Sequence, residues 1–390
     1  MFRRAWQLQQ TLAAVTAAAC LLAAPRLQGS LRAFEVAGAR DAQREPARLA
    51  PPPGVLVELS PLEARALAEA GDGRTDSRWL LTAVCAASGE QDEASIARLL
   101  RRVEAHCESF RRRFAGQDSD RERAEAALEY LYAEVLHGGY QAEATDLAAA
   151  LDGRGYNCVS STVLFNCLAE TCGLSAAAVE APGHVFSVVD STDGPIEVET
   201  TCRNWFRAAA LAGRVQRGGA RRRLSAAGLA ALVYYNRGVE LLAKHRFADA
   251  IVANLKALRL DPENPAARSN WLAGLNNWAL EHNAQGDHSA AVRLLRHGLR
   301  LTPEHRAFRV NFVAVHQQWI EALLAQQQDE RALELLRQAQ RDLPQETYFQ
   351  AAAFEIDRRR AAGDGVSSSS AAQTWSVLLH AEPPQSPVGQ

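Results

Sequence analysis

Three short stretches hold the residue types for covalent chemistry: Gly155-Tyr156-Asn157-Cys158-Val159-Ser160-Ser161-Thr162, Pro182-Gly183-His184-Val185-Phe186 and Glu197-Val198-Glu199-Thr200-Thr201. After Cys158, the apolar residues Val159, Val163, Leu164 and Leu168, with Cys167, keep a helical period that ends near Cys172-Gly173. Cys158 then sits in the first turn of a helix. Unpaired N–H groups and the helix dipole there favour a thiolate, the nucleophilic form of cysteine. Asn157 suits the N-cap position, and Gly153 and Gly155 let the chain turn sharply into the helix.

His184 opens one expected strand, Val185 to Val189, and Glu199 lies near the end of a second, Ile196 to Thr200. If the connection has two residues, His184 lies opposite Glu199. If it has four, His184 lies opposite Thr201 and Glu199 is its diagonal neighbour. In both registers the two side chains share a face, because side chains alternate with period two. Glu197 shares that face but lies two residues farther away, so Glu199 is the preferred partner. A carboxylate there would fix the imidazole tautomer and stabilise the imidazolium. A triad of Cys158, His184 and Glu199 follows. Taken alone, His184 would be read as a core histidine; the three groups together carry the chemistry.

The remaining cysteines act as internal controls. Cys167 lies nine residues beyond Cys158, about 900° around the helix and so on its opposite face. Cys172 is displaced again by roughly 140°, so these three cannot converge on one metal. No CxxC pair occurs, and no metal site or cofactor is expected. Cys85, Cys107 and Cys202 have no activating neighbours in the sequence.

In these stretches, over about residues 125–206, the sequence resembles the transglutaminase-like superfamily within the papain-like cysteine enzymes. The resemblance implies Cys158 as nucleophile, His184 as general base and acid, and Glu199 as the orienting acid. It also implies acyl hydrolysis or transfer through a thioester. Two departures stand out: Glu199 occupies a position where many members carry Asp, and Val185-Phe186 replaces the frequent Ala-Trp. The Pro182-Gly183-His184 segment looks like a compact bacterial branch in which activity is often undemonstrated. An inactive domain serving as a protein–protein adaptor is therefore the alternative.

The elements that must position these residues are mostly helical. Ser60-Pro61-Leu62-Glu63 reads as an N-cap, a proline in the first turn and a capping acid. Further helices are expected around 78–87, 92–114, 120–137 and 141–151, with a two-stranded sheet between 177 and 201. The C-terminal part repeats. Pro262, Pro303 and Pro344 are 41 residues apart, as are Ala250, Ala291 and Ala332, and also Ala257, Gly298 and Ala339. Gly238, Leu241, Ala250, Ala257 and Pro262 resemble the tetratricopeptide repeat, although that family's period is about 34 residues. The fold class expected is α+β. A helical transglutaminase-like domain with a small antiparallel sheet (59–215) precedes an all-α solenoid at 224–361. Its units are 224–264, 265–305 and 306–346, with a capping helix after them. The solenoid is expected to hold a peptide or protein partner, with Trp271, Trp278 and Trp319 either as anchors or, more simply, as packing between helices.

Composition sets the outer bounds. With 390 residues, two or three domains are expected. The chain has 43 Lys+Arg against 45 Asp+Glu, which provides no basic field for nucleic acid. Lys244 and Lys256 are its only lysines. Residues 1–25, with Arg3, Arg4 and the apolar Leu12 to Ala24, read as a signal peptide or a short membrane anchor. They imply export to a bacterial periplasm or cell envelope, or a cytoplasmic location if they are not a signal. Residues 26–58 read as a linker and 363–390 as a disordered tail. No apolar run reaches 18 residues, which excludes a polytopic membrane protein.

Overall fold

The computed structural model describes residues 49–73, 76–114, 119–207 and 220–361. The expected signal segment 1–25, most of the linker and the tail 363–390 lie outside the described residues. The architecture is α+β, mostly helical with one small antiparallel sheet. Among the described residues, no helix is long and apolar enough to cross a membrane.

Helix α1 (Pro61–Gly71) starts as the sequence suggests, with Ser60 and Glu63 capping each other reciprocally. Then come α2 (Ser77–Ala87), α3 (Glu93–Arg113) and α4 (Asp120–Tyr130), the last running into a π-helical turn at Leu131–Val135. The helix expected at 141–151 is reduced to α5 (Leu147–Leu151). Residues 138–146 instead form a loop whose backbone pairs with Tyr156, through Gln141 N–H to the Tyr156 carbonyl at 2.9 Å and Tyr156 N–H to the Gly139 carbonyl at 3.1 Å. Helix α6 (Cys158–Thr171) is followed by β1 (Ser175–Ala181), β2 (His184–Asp190) and β3 (Ile196–Val198). After the segment at 208–219, β4 (Arg222–Leu224) completes a sheet of order β3-β2-β1-β4.

The sheet thus has four strands where the sequence suggests two. β1 is hard to recognise because Ser175-Ala-Ala-Ala-Val-Glu-Ala has little intrinsic strand preference. It extends because it lies between β2 and β4 and pairs with both. The β1–β2 turn is Pro182-Gly183, with Gly183 at φ 69°, a backbone region open to glycine. It closes on the Ala181–His184 pair and so delivers His184 directly at a strand start.

Helices α7 (Ala226–Ala243) and α8 (Phe247–Leu260) form a hairpin, followed by α9 (Pro265–Ala284) and α10 (His288–Leu301), then α11 (Arg306–Ala325) and α12 (Asp329–Asp342). The 41-residue period reappears in the helix ends: α9 and α10 recur as α11 and α12 with every boundary displaced by 41 residues. Helix α13 (Thr347–Ala361) ends the described chain. The first compact unit runs to Gly274 and the second begins at Leu275. The first unit therefore extends beyond residue 215, the domain end expected from sequence, and takes in the α7–α8 hairpin. Arg222 on β4 explains why. Its guanidinium donates to Glu180 Oε2 on β1 at 2.7 Å and to Asp261 Oδ2, just after α8, at 2.6 Å. Elsewhere on the same hairpin, Glu63 accepts from Lys256 Nζ at 2.7 Å and from the Tyr234 hydroxyl at 2.7 Å.

In the second unit the small residues mark close packing: Ala291, Ala332 and Ala339 are fully buried. A Cβ on Gly298 would collide with the Phe308 ring on α11, so this small residue serves the approach of the following hairpin rather than of its own. Trp271 in the first unit is 1% exposed and packs in the core. Trp278 and Trp319 are half-buried, each against a histidine ring, His282 and His288. Ala291→Leu should overpack this interior and lower stability by about 1–3 kcal/mol, as read by guanidinium unfolding. An unchanged midpoint would mean that Ala291 is not a close-packing position.

Candidate active site

The site begins with a cap. The Asn157 side-chain oxygen accepts the N–H groups of Val159 at 2.9 Å and Ser160 at 3.1 Å, and Ser160 Oγ accepts the Asn157 N–H in return. This reciprocal cap starts α6 at Cys158. It uses the N–H groups of Val159 and Ser160 and leaves that of Cys158 to other acceptors. Asn157 is 1% exposed and Val159 2%, whereas Cys158 between them is half-buried. Gly155, at φ 141°, allows the approach: a Cβ there would strike the Gln141 side chain, which lies against this turn.

β2 and β3 bring up the other two groups. Their register, Ser187 opposite Val198 and Val189 opposite Ile196, is that of the four-residue connection. Glu199 lies one residue past the end of β3, not within it as the sequence suggests. There the chain turns, with the Cys202 N–H bonded to the Glu199 carbonyl at 3.0 Å. The turn swings the carboxylate under His184, and His184 Nε2 meets both Glu199 oxygens at 2.8 Å. Thr201 adds a hydroxyl bond at 2.7 Å and a backbone N–H bond at 3.3 Å to Glu199 Oε1. Glu197, the competing acid, instead pairs with Arg221 at 2.5 Å.

The Cys158 thiol lies close enough to the His184 ring to help hold a proton on it. Burial by itself would lower the His184 pKa, but the hydrogen bonds to Cys158 and Glu199, together with their charges, outweigh it and raise the ring to about 10. An imidazolium held beside a thiol is the arrangement that stabilises a nucleophilic thiolate. The Phe186 ring lies nearly parallel to His184 at 6.4 Å between centroids. The structure thus brings together Cys158, His184 and Glu199, all three residues singled out from sequence.

Burial pushes the Cys85 thiol up to about 12 and raises Cys107, Cys167 and Cys172 as well. Among the described residues, no group of three or more His, Cys, Asp or Glu side chains is arranged to hold a metal ion.

Sequence reasoning missed the residues that hold Glu199 in place. Thr200, fully buried, bonds through Oγ1 to Ser161 Oγ at 2.9 Å and Thr162 Oγ1 at 3.0 Å, both on α6. Its carbonyl accepts the Tyr132 hydroxyl at 3.1 Å, and Tyr132 comes from the π-helical turn after α4. A π turn widens the helix locally and redirects one side chain, here the phenol. One signal was legible: three consecutive hydroxyl residues, Ser160 to Thr162, near the start of a largely apolar helix. All three are fully buried, so each must find a partner.

Followed by NMR, the His184 ring should titrate near 10, and Glu199→Gln, which removes the charge but keeps the shape, should lower that value. The sign for stability follows. Folded His184 keeps its proton to about pH 10, whereas the unfolded ring loses it near about 6.5. Its contribution is fully present below about pH 6.5 and is lost as pH rises through 10. The stability advantage of the native protein over His184→Gln should shrink across that window; a constant difference would contradict the raised value.

Comparison of the chain with family models, with curated proteins and with solved structures returns no match in any of the three.

Proposed function

We propose that the first unit is a thiol-dependent acyl hydrolase or acyltransferase of transglutaminase-like type. The observation that carries this reading is the His184 ring with Nε2 on both oxygens of buried Glu199 at 2.8 Å, set beside the Cys158 thiol at the start of α6. A structural histidine needs one partner. An imidazole held between a buried carboxylate and a half-exposed thiol at a helix start is arranged to move a proton.

The steps follow from this geometry. The Cys158 sulfur attacks a carbonyl carbon, and its proton resides on the His184 ring. The tetrahedral oxyanion lies at the start of α6, where the Cys158 N–H is one donor. Collapse breaks the bond to the leaving amine, which takes the proton from His184, and a thioester on Cys158 remains. Water, or a second amine in the transfer reaction, attacks the thioester while His184 accepts its proton; the sulfur leaves and the site is restored. Glu199 stays ionised throughout and keeps the ring oriented and charged when protonated. Hydrolysis is the first assignment, since water is always available. The helical hairpins, which resemble tetratricopeptide repeats, are proposed to receive a peptide or protein partner. Export to a periplasm or cell envelope is proposed from the first 25 residues.

The test has two parts. At pH 7, iodoacetamide should modify Cys158 at least about tenfold faster than the other cysteines, and His184→Ala should remove the advantage. An activated acyl ester should leave a Cys158 thioester visible by mass spectrometry, and either Cys158→Ala or His184→Ala should lower turnover by roughly a thousandfold. Equal, slow modification of all cysteines with no acyl adduct would favour the inactive adaptor.

A further inference from the structure

The amide of Asn157 makes four bonds of 3.1 Å or shorter. Its oxygen caps Val159 and Ser160, and its nitrogen donates to Thr145 Oγ1 at 2.7 Å and to the Ala142 carbonyl at 3.0 Å. Two donors and two acceptor sites are all that a primary amide has, so this side chain can neither flip nor turn without loss. Its strongest support on the nitrogen side is Thr145, which is 8% exposed and sits in the 138–146 loop. That loop also gives its Ala144 carbonyl to Ser160 Oγ at 3.0 Å.

Thr145 has a second partner from far along the chain. Asn236 Nδ2, on α7, donates to the same Thr145 Oγ1 at 3.1 Å. A line of polar contacts therefore runs from the first repeat hairpin through Thr145 and Asn157 to the residue that starts the catalytic helix. The hairpin lies within the first compact unit, so the link is internal to it.

We propose that Asn236 is a positioning residue for Cys158, acting through Thr145 and the Asn157 cap. The proposal rests on Cys158 being the nucleophile. Removing Asn236 frees one side of the Thr145 hydroxyl, which can then rotate off Asn157. The cap loosens, the first turn of α6 shifts, and the Cys158 sulfur loses its placement beside the His184 ring. Small displacements of a reacting atom cost large factors in rate. Asn277 occupies the equivalent position 41 residues on. It accepts a bond from Asn276 at 3.5 Å and serves as the control.

The test uses the full chain and two readouts. Hydrogen exchange at the Val159 and Ser160 amides reports on the cap, whatever Cys158 does. The rate of iodoacetamide modification of Cys158 at pH 7 reports on the thiol. Asn236→Ala should speed exchange at both amides and slow modification about tenfold, in line with the loss of a single hydrogen bond, while Asn277→Ala should change neither. In a Thr145→Val background, Asn236→Ala should add nothing further. Asn236→Leu, which preserves volume, provides the same comparison if the alanine variant does not fold. Unchanged exchange, or faster exchange with unchanged modification, would overturn the proposal. So would slowing that multiplies with that of Thr145→Val, because Asn236 would then act by another route. Failure of the underlying reading looks different: Cys158 in the native protein would be no more reactive than Cys85.

Discussion

A carboxylate taken out of water must be met by a charge or by several donors, and Glu199 is only 5% exposed. Much of the candidate site follows from that constraint. His184 supplies the charge and Thr201 supplies two further donors. The imidazolium needed to stabilise Glu199 is the same group that faces Cys158. A neutral ring would leave the carboxylate under-compensated, so the tendency to hold a proton at His184 is built into the packing. Breaking the pair from either side leaves a buried polar group without its partner, which costs more than the pair itself contributes.

Holding Glu199 is a second problem, because it lies just past the end of a three-residue edge strand where ladder bonds no longer fix the backbone. The structure solves this with hydroxyls rather than with more sheet. Ser161 and Thr162 on α6 grip Thr200 from one side, and Tyr132 grips its carbonyl from the other. The helix that presents Cys158 thus also anchors the turn that carries Glu199, and errors in one position are shared by the other. Ser187 ties the sheet to the same helix through Asn166 at 2.7 Å.

The helical hairpin at α7 and α8 belongs to this unit in a way its repeat-like sequence conceals. The buried ion pair of Glu63 with Lys256 and the two-carboxylate bridge of Arg222 clamp it at separate points. Pairs like these contribute little on an open surface. These are half-buried or better, and each joins segments distant in sequence. They fix how the hairpin docks as well as whether it docks. Of the chain's two lysines, one is spent on this contact.

What the sequence determined by itself was local or periodic. The cap at Asn157, the helix after Cys158, the common face of His184 and Glu199 and the 41-residue repeat all depend on neighbours within a few residues or on a fixed spacing, and side-chain direction follows from those alone. Tertiary structure decided the rest, since it depends on partners far along the chain. Ser175 to Ala181 became a strand only because β2 and β4 lie beside it. Residues 141–146 left the expected helix to pair with Tyr156 and support Asn157. Between the two registers open to β2 and β3, both of which preserved the face, pairing chose one. Glu199 was preferred over Glu197 from spacing, but what made it the partner was the turn at Cys202 and the grip on Thr200. Tyr132, Thr145 and Asn236 carried no local mark of a role at the site. A hydroxyl or an amide reads the same in any sequence, and its function appears only when folding decides which buried group it must satisfy.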